Sequence, residues 1–263
     1  MLRKTRELRG YRLGAKDGDI GHLKDFYFDD QTWTVRYLVA DTGNWLPQRK
    51  VLLSPFAVTA IHAGQHKAVE VNLTKQQIEE SPSIEAHKPV SRQFETEYLQ
   101  YYGWPCYWPG PMLWGPVAFP DPSIPGIIPP EPSLPTPAES ADSHLRSANE
   151  VSGYHLQALD AVFGHVDQFV FEDENWAIRY LVVDTRNWWP GKRVLLAPQW
   201  IARVSWPESK VYVDFDREAV QCAPEFDAAV PITRDYERKL FEHYHRPPYW
   251  EQTAELAAGA KIH

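Results

Sequence analysis

The chain has 263 residues, of which 43% are hydrophobic, 13% aromatic and 24% charged, with a formal net charge of −8. That much apolar material excludes general disorder, and no run of about 18 or more apolar residues is present to cross the roughly 30 Å hydrocarbon layer of a membrane. Residues 1–102 sum to +1, residues 103–147 to −3 and residues 148–263 to −6, a balance that argues against direct nucleic-acid binding, which needs clustered Lys and Arg.

The basic start MLRKTRELRGYRL lacks the apolar region and small-residue cleavage site of a secretory signal, so a cytoplasmic location is expected. Cys106 and Cys222 have no CxxC spacing and read as reduced thiols, without a disulfide framework or a zinc site.

In chain order, Gly10 to Leu13 is a short alternating segment that turns through Lys16, Asp17, Gly18 and Asp19, a hairpin composition. Gly21–Asp29 places Leu23, and then Phe26 and Phe28, among polar neighbours, and Val35–Ala40 is an apolar strand rich in β-branched and aromatic types, suited to a largely buried pleated surface. Arg49–Leu53 follows the loop Asp41–Gln48 and is ended by Pro55, which has no ladder donor. Val58–His62 and Val69–Leu73 complete six short strands, which together predict a closed or nearly closed small β-barrel.

The period then changes. Thr74 with Gln77 forms a capping box for a helix over Lys75–Glu80, and Ser91 caps a second helix in which Phe94, Tyr98, Leu99 and Tyr102 make one apolar stripe. That stripe is expected to cover one opening of the barrel.

The same order returns. RYLVADTGNW at Arg36–Trp45 recurs as RYLVVDTRNW at Arg179–Trp188, an offset of 143 residues, and VLLSP at Val51–Pro55 recurs as VLLAP at Val194–Pro198. Trp33 matches Trp176 and Gly21 matches Gly164; one residue is lost near Gln65, so that Pro82 matches Pro224 at an offset of 142. Strands are predicted at Gly153–Leu156, Gly164–Glu172, Ile178–Asp184, Val194–Leu196, Ile201–Ser205 and Val211–Phe215, followed by a helix capped by Thr233. The two helices end in YGWPCYW at Tyr102–Trp108 and YHRPPYW at Tyr244–Trp250. This gives a first repeat over 1–102, a linker over 103–147, a second repeat over 148–250 and a tail over 251–263.

The linker carries twelve prolines from Pro105 to Pro137, which disfavour helix and ladder and favour extended polyproline-like backbone. Its first part, with Trp104, Tyr107, Trp108, Met112, Leu113, Trp114 and Phe119, either lies along a barrel surface or forms an exposed adhesive patch.

On these blocks each half resembles a PRC-barrel domain: a glycine before the second strand, RYLVxDTxNW, VLLxP, and a capped helix closing with YxxPxYW. The family includes the soluble domain of the photosynthetic reaction-centre H subunit and the C-terminal domain of the ribosome maturation factor RimM. The resemblance implies a mainly β protein of two small barrels, each followed by short helices, that acts by binding other macromolecules. Pseudo-two-fold pairing of the two barrels is expected, because matching surfaces on repeats pair as subunits do in isologous dimers.

Individual residues add little chemistry. Asp41 and Asp184 stand at equivalent strand ends, where a carboxylate serves as a general base or caps its loop by accepting backbone N–H bonds. Arg36 and Arg179 either pair with acidic neighbours or stay solvated. His22, His165, His243 and His245 lack the three or four ligands at fixed spacing that a zinc centre needs. No GxGxxG, P-loop, GxSxG or HExxH motif occurs, so no catalytic, cofactor or metal residue is assigned. The loops Asn44–Lys50 and Asn187–Arg193 join aromatic and cationic side chains, the usual anchors of protein interfaces, or else cover their own barrels. Trp45, Arg49, Lys50, Trp188, Trp189, Lys192 and Arg193 are therefore the candidate interaction residues. The expected function is a non-enzymatic scaffold or adaptor; the alternatives are an accessory protein docked peripherally on a photosynthetic or other membrane complex, and a ribosome or RNA-processing factor.

Overall fold

A computed structural model describes residues 1–47, 49–85, 89–124, 144–185 and 191–251. The strands are β1 (Leu2–Lys4), β2 (Arg12–Ala15), β3 (Gly18–Asp29), β4 (Thr34–Asp41), β5 (Arg49–Leu53), β6 (Val58–His62), β7 (Ala68–Val71), β8 (Ile84–Glu85), β9 (Leu145–Ser147), β10 (His155–Gln157), β11 (Val162–Glu172), β12 (Ile178–Asp184), β13 (Arg193–Leu196), β14 (Ile201–Ser205) and β15 (Lys210–Val213). Six α-helices are interspersed among these residues: α1 (Thr5–Leu8), α2 (Lys75–Glu80), α3 (Arg92–Tyr102), α4 (Ala148–Val151), α5 (Arg217–Cys222) and α6 (Arg234–His243). Two compact units result: the first is residues 1–151 with 168–179, the second residues 152–167 with 180–263.

The predicted class holds, since the chain is mainly β with a few short helices. One sheet runs β6-β7-β2-β3-β4-β5-β8 with β9 added on β3, and the other runs β13-β12-β11-β10-β15-β14 with β1 added on β11. The hairpin expected at Asp17 is present, with β2 antiparallel to β3 and parallel to β7.

The expected closure into barrels is not formed: each ladder path has two ends, β6 and β8 in one sheet and β13 and β14 in the other. Pro55 and Pro198 are the physical reason. Neither has an amide hydrogen, and each opens a 3₁₀ turn, Pro55–Ala57 or Pro198–Trp200, that takes the chain out of the ladder before the next strand. Along β5 a helix side chain substitutes for a closing strand. The Tyr98 hydroxyl of α3 donates to the Leu52 carbonyl at 2.9 Å and accepts from the Ser54 N–H at 3.3 Å.

In β4 every residue from Thr34 to Ala40 is buried, the pattern of a strand covered on both faces. One cover is α3, whose Tyr98 meets Tyr37 edge-on at 5.5 Å. Ser91 caps this helix by accepting from the Phe94 N–H, and the Thr74–Gln77 capping box opens α2 as its spacing requires.

The first unit also contains a reciprocal exchange that the strand patterns did not show. β1 pairs antiparallel with β11, Leu2 opposite Glu172, and β9 pairs antiparallel with β3, Leu145 opposite Asp29. These are the same contact written twice at the repeat offset. Arg3 donates to Asp173 at 2.8 Å and Arg146 to Asp30 at 2.7 Å, again as equivalents. Phe26 meets Phe171 at 5.6 Å and Phe28 meets Phe169 at 5.2 Å. All four rings are fully buried, and burial of each contributes roughly 1.5–3 kcal/mol. Trp33 and Trp176 hold left-handed backbone, φ 51° and 61°, while their rings stack on Phe28 and Phe171. Repeat-equivalent residues thus meet one another within the first unit.

Candidate functional site

In the first unit the RY of β4 and the YW after α3 converge on one carboxylate. Glu95 is fully buried; its Oε1 accepts from the Tyr37 hydroxyl at 3.1 Å and from the Tyr107 hydroxyl at 2.5 Å. Its Oε2 lies 3.3 Å from Arg92 Nη1 and 3.0 Å from His144 Nε2. Burial, reinforced by the Glu95 charge, pushes both tyrosine hydroxyls well above their ordinary range. Arg36 is 1% exposed, packs its guanidinium 3.8 Å from the Tyr107 ring and 4.7 Å from the Trp114 ring, and donates to the Leu113 carbonyl at 2.6 Å. Burial lowers its pKa.

The second unit builds the hub again. Glu237 Oε1 accepts from Tyr180 at 2.7 Å and from Tyr249 at 3.0 Å, and its Oε2 lies 3.1 Å from Arg234 Nη1. In both units the carboxylate is filled by donors of its own unit, which ties the long helix to the central strand. Neither Glu95 nor Glu237 was singled out from the sequence. The signal was present: Arg-x-x-Glu at 92–95 and 234–237, with a tyrosine twelve residues after each glutamate.

The predicted residues fall in several places. Asp41 caps its loop, accepting from the Gly43 N–H at 3.1 Å, and Asp184 is buried with Arg193 Nε 3.7 Å away. A side chain at the repeat-equivalent glycines Gly21 and Gly164 would collide with the carbonyl oxygens of Asp41 and Asp184 respectively, so glycine there lets each loop close on its strand. Arg49 donates to the carbonyls of Ile78, Glu79 and Ser81 at 3.0, 2.5 and 2.7 Å, which caps the C-terminal end of α2. Its counterpart Lys192 donates to the Ala223 carbonyl at the end of α5. Lys50 lies 5.2 Å above the Tyr27 ring, and its pKa is lowered by burial. Arg193 lies 3.5 Å from Asp167. Trp45 is half-buried beneath Lys75, whose Nζ is 4.6 Å from the ring. Trp188 and Trp189 lie outside the described residues. Arg179 is paired with Glu172 at 2.6 Å.

The linker's first part follows the surface-lying alternative: Trp104, Tyr107 and Trp114 are buried, and the Trp114 indole donates to the Asn175 carbonyl at 2.8 Å. Met112 and Phe119 remain about half exposed, at 51% and 49%.

Where this linker leaves α3, the first unit has an open cleft of about 440 Å³. Phe56, Tyr101, Tyr102 and Trp104 supply its aromatic walls, with Tyr102 stacked on Trp104 at 4.5 Å. Lys16, Asn72 and Gln77 bring polar ends to it, and no carboxylate among the described residues lines it. The second unit has different residues at the equivalent positions. Trp200 stands where the first repeat has Ala57, and it packs on Tyr244 at 4.7 Å and Phe241 at 5.1 Å. Arg246, the counterpart of Trp104, pairs with Asp214, the counterpart of Asn72, at 2.7 Å.

Among the described residues no helix is long and apolar enough to cross a membrane, and no three His, Cys, Asp or Glu side chains group as a metal site would require. No curated protein gives a significant match to the chain. The second repeat is tied to the first by the correspondence of strands, hub and capping residues. Residues 4–77, within the first repeat, match the family model of the PRC-barrel domain.

Proposed function

We propose that the chain is a non-enzymatic cytoplasmic adaptor that binds a protein partner through its first repeat. One observation carries this reading: the two copies keep the same buried hub, yet the aromatic cleft is open in one and its equivalent is packed with Trp200 and an Arg246–Asp214 pair in the other. The fold's own stability does not need an open cleft, since the second copy forms the same hub without it. A PRC-barrel domain agrees with an interaction role, and aromatic side chains beside a cation are common anchors of interfaces.

Affinity purification of the full chain from its native cell tests the proposal. The wild-type chain is expected to retain a discrete partner, and the double substitution Tyr101→Ala with Lys16→Glu to lose it. Recovery of the same proteins by both forms, or of none by the wild type, would overturn the cleft-centred adaptor. The identity of the partner decides between a free soluble assembly, a photosynthetic or other membrane complex, and a ribosomal particle.

A further inference from the structure

We infer that the cleft of the first unit is a reader of extended proline-bearing peptides with an acidic residue at one end; this rests on the adaptor reading and names the class of partner. The geometry supplies three elements. Tyr101, Tyr102 and Trp104 form a run of aromatic side chains along the cleft, of which Tyr101 is 41% exposed. The hydroxyls of Tyr101 and Tyr102 both donate to the Gln77 carbonyl, at 3.0 and 3.3 Å, which holds the rings in place before any ligand arrives. Such pre-ordered aromatic surfaces suit the polyproline II helix, whose stiffness lowers the entropy lost on binding.

The second element is that the cleft already borders a proline. Pro122 of the chain's own linker lines it beside the aromatic walls, so the site accepts proline chemistry at close quarters. A volume of about 440 Å³ admits about one turn of polyproline II, which has three residues per turn.

The third is charge. Lys16 is exposed and is, among the described residues, the one ionised side chain lining the cleft, with the carboxamides of Asn72 and Gln77 for company. A cation and two amides select carbonyl oxygens and a carboxylate on the ligand, not a basic tail. At the equivalent point of the second repeat, Leu159 replaces Lys16 and Asp214 replaces Asn72, so that copy has lost the cation and gained an opposing charge.

The test is titration of fluorescently labelled oligoproline, with and without two terminal aspartates, into the full chain, read by anisotropy. The wild type is expected to bind both saturably, the acidic peptide more tightly. Tyr101→Ala should weaken both by about fivefold or more, the loss expected from truncating an aromatic anchor. Lys16→Glu should weaken the acidic peptide alone. Both positions are exposed, and an unchanged thermal midpoint verifies the fold. Absence of saturable binding by the wild type, or equal binding by Tyr101→Ala, would overturn the inference. Cellular partners retained by a wild-type chain that ignores oligoproline would leave the adaptor standing while removing this ligand class.

Discussion

Thr34 lies opposite Ala177, its own counterpart at the repeat offset, in an isolated antiparallel bridge within the first unit. A position paired with its duplicate marks a local two-fold axis. The hydrogen bonds on either side confirm it: the Val35 N–H donates to the Trp176 carbonyl at 2.9 Å and the Ile178 N–H to the Trp33 carbonyl at 2.7 Å. The exchanged strands β1 and β9 and the crossed phenylalanine pairs are consequences of the same axis.

The exchanged strand β9 should be held chiefly by burial. Leu145 is 7% exposed, whereas the Arg146–Asp30 pair keeps 21% and 13% side-chain exposure. Leu145→Asp should cost about 2–4 kcal/mol through lost transfer energy and an uncompensated charge, and Arg146→Ala about 1 kcal/mol or less. Urea denaturation of both variants measures this. Equal shifts in midpoint would mean that charge, not burial, holds the strand.

Removal of the hub carboxylate should be more costly than its neutralisation. Glu95→Ala leaves the Tyr37 and Tyr107 hydroxyls without their acceptor and should lower stability by about 3–5 kcal/mol. Glu95→Gln keeps an acceptor oxygen and should cost about 1–2 kcal/mol. Calorimetry that finds the two variants alike would show that the hydroxyls rebind elsewhere.

Asp25 predicts a pH effect of defined sign. Burial raises its pKa, although Ser147, Phe26 and Asn149 donate to its carboxylate and act the other way. A carboxyl whose folded pKa exceeds its unfolded value of about 3.9 binds its proton more strongly in the native state. Its contribution is therefore full below the unfolded pKa and is lost as pH rises through the folded one. Asp25→Asn should remove that fall, seen as a flatter plot of the denaturation midpoint against pH just above the ordinary aspartate range. An unchanged slope would assign the dependence to other groups, Asp30 among them, whose pKa is also raised by burial.

The two equivalent arginines should behave unlike each other. Arg36 is enclosed by Tyr107 and Trp114 and lies 3.7 Å from the buried Asp29, while Arg179 and Glu172 keep 18% and 23% side-chain exposure. Arg36→Ala should cost about 3–5 kcal/mol and open the linker near Leu113 to protease; Arg36→Lys should not restore it, because an ammonium neither stacks nor forks. Arg179→Ala should cost about 1 kcal/mol or less. Limited proteolysis with mass mapping separates these outcomes.

The succession of strands was legible because YLV and VLL are short continuous apolar runs, and several bounds, such as Val58–His62 and Ile178–Asp184, coincide with the observed ones. Closure was misjudged because strand count says nothing about the edges, where Pro55 and the Tyr98 hydroxyl decide. β1 and β9 escaped notice since three-residue strands show no alternation, yet Leu2-Arg3 and Leu145-Arg146 stand at the repeat offset, with Asp30 and Asp173 as matching partners. The cleft was hidden for another reason. It depends on which residues differ between the copies, above all Ala57 against Trp200, whereas the repeat was read through its identities.

That same distinction governs how the loops before β5 and β13 should respond to mutation. Arg49 and Lys192 are helix-capping groups, since each donates to carbonyls at the end of a neighbouring helix. Arg49→Ala should therefore cost about 1.5–3 kcal/mol, the range for hydrogen bonds from a charged donor, and any loss of partner binding in that variant would reflect a loosened α2. Trp45 has the Lys75 ammonium over its ring and is half-exposed, so Trp45→Ala should cost about 1 kcal/mol or less. Partner recovery by Trp45→Ala, scored against its thermal midpoint, therefore tests the loop as a contact surface. Recovery equal to wild type confines the interface to the cleft, and loss without a shift in midpoint extends it to the Trp45 loop.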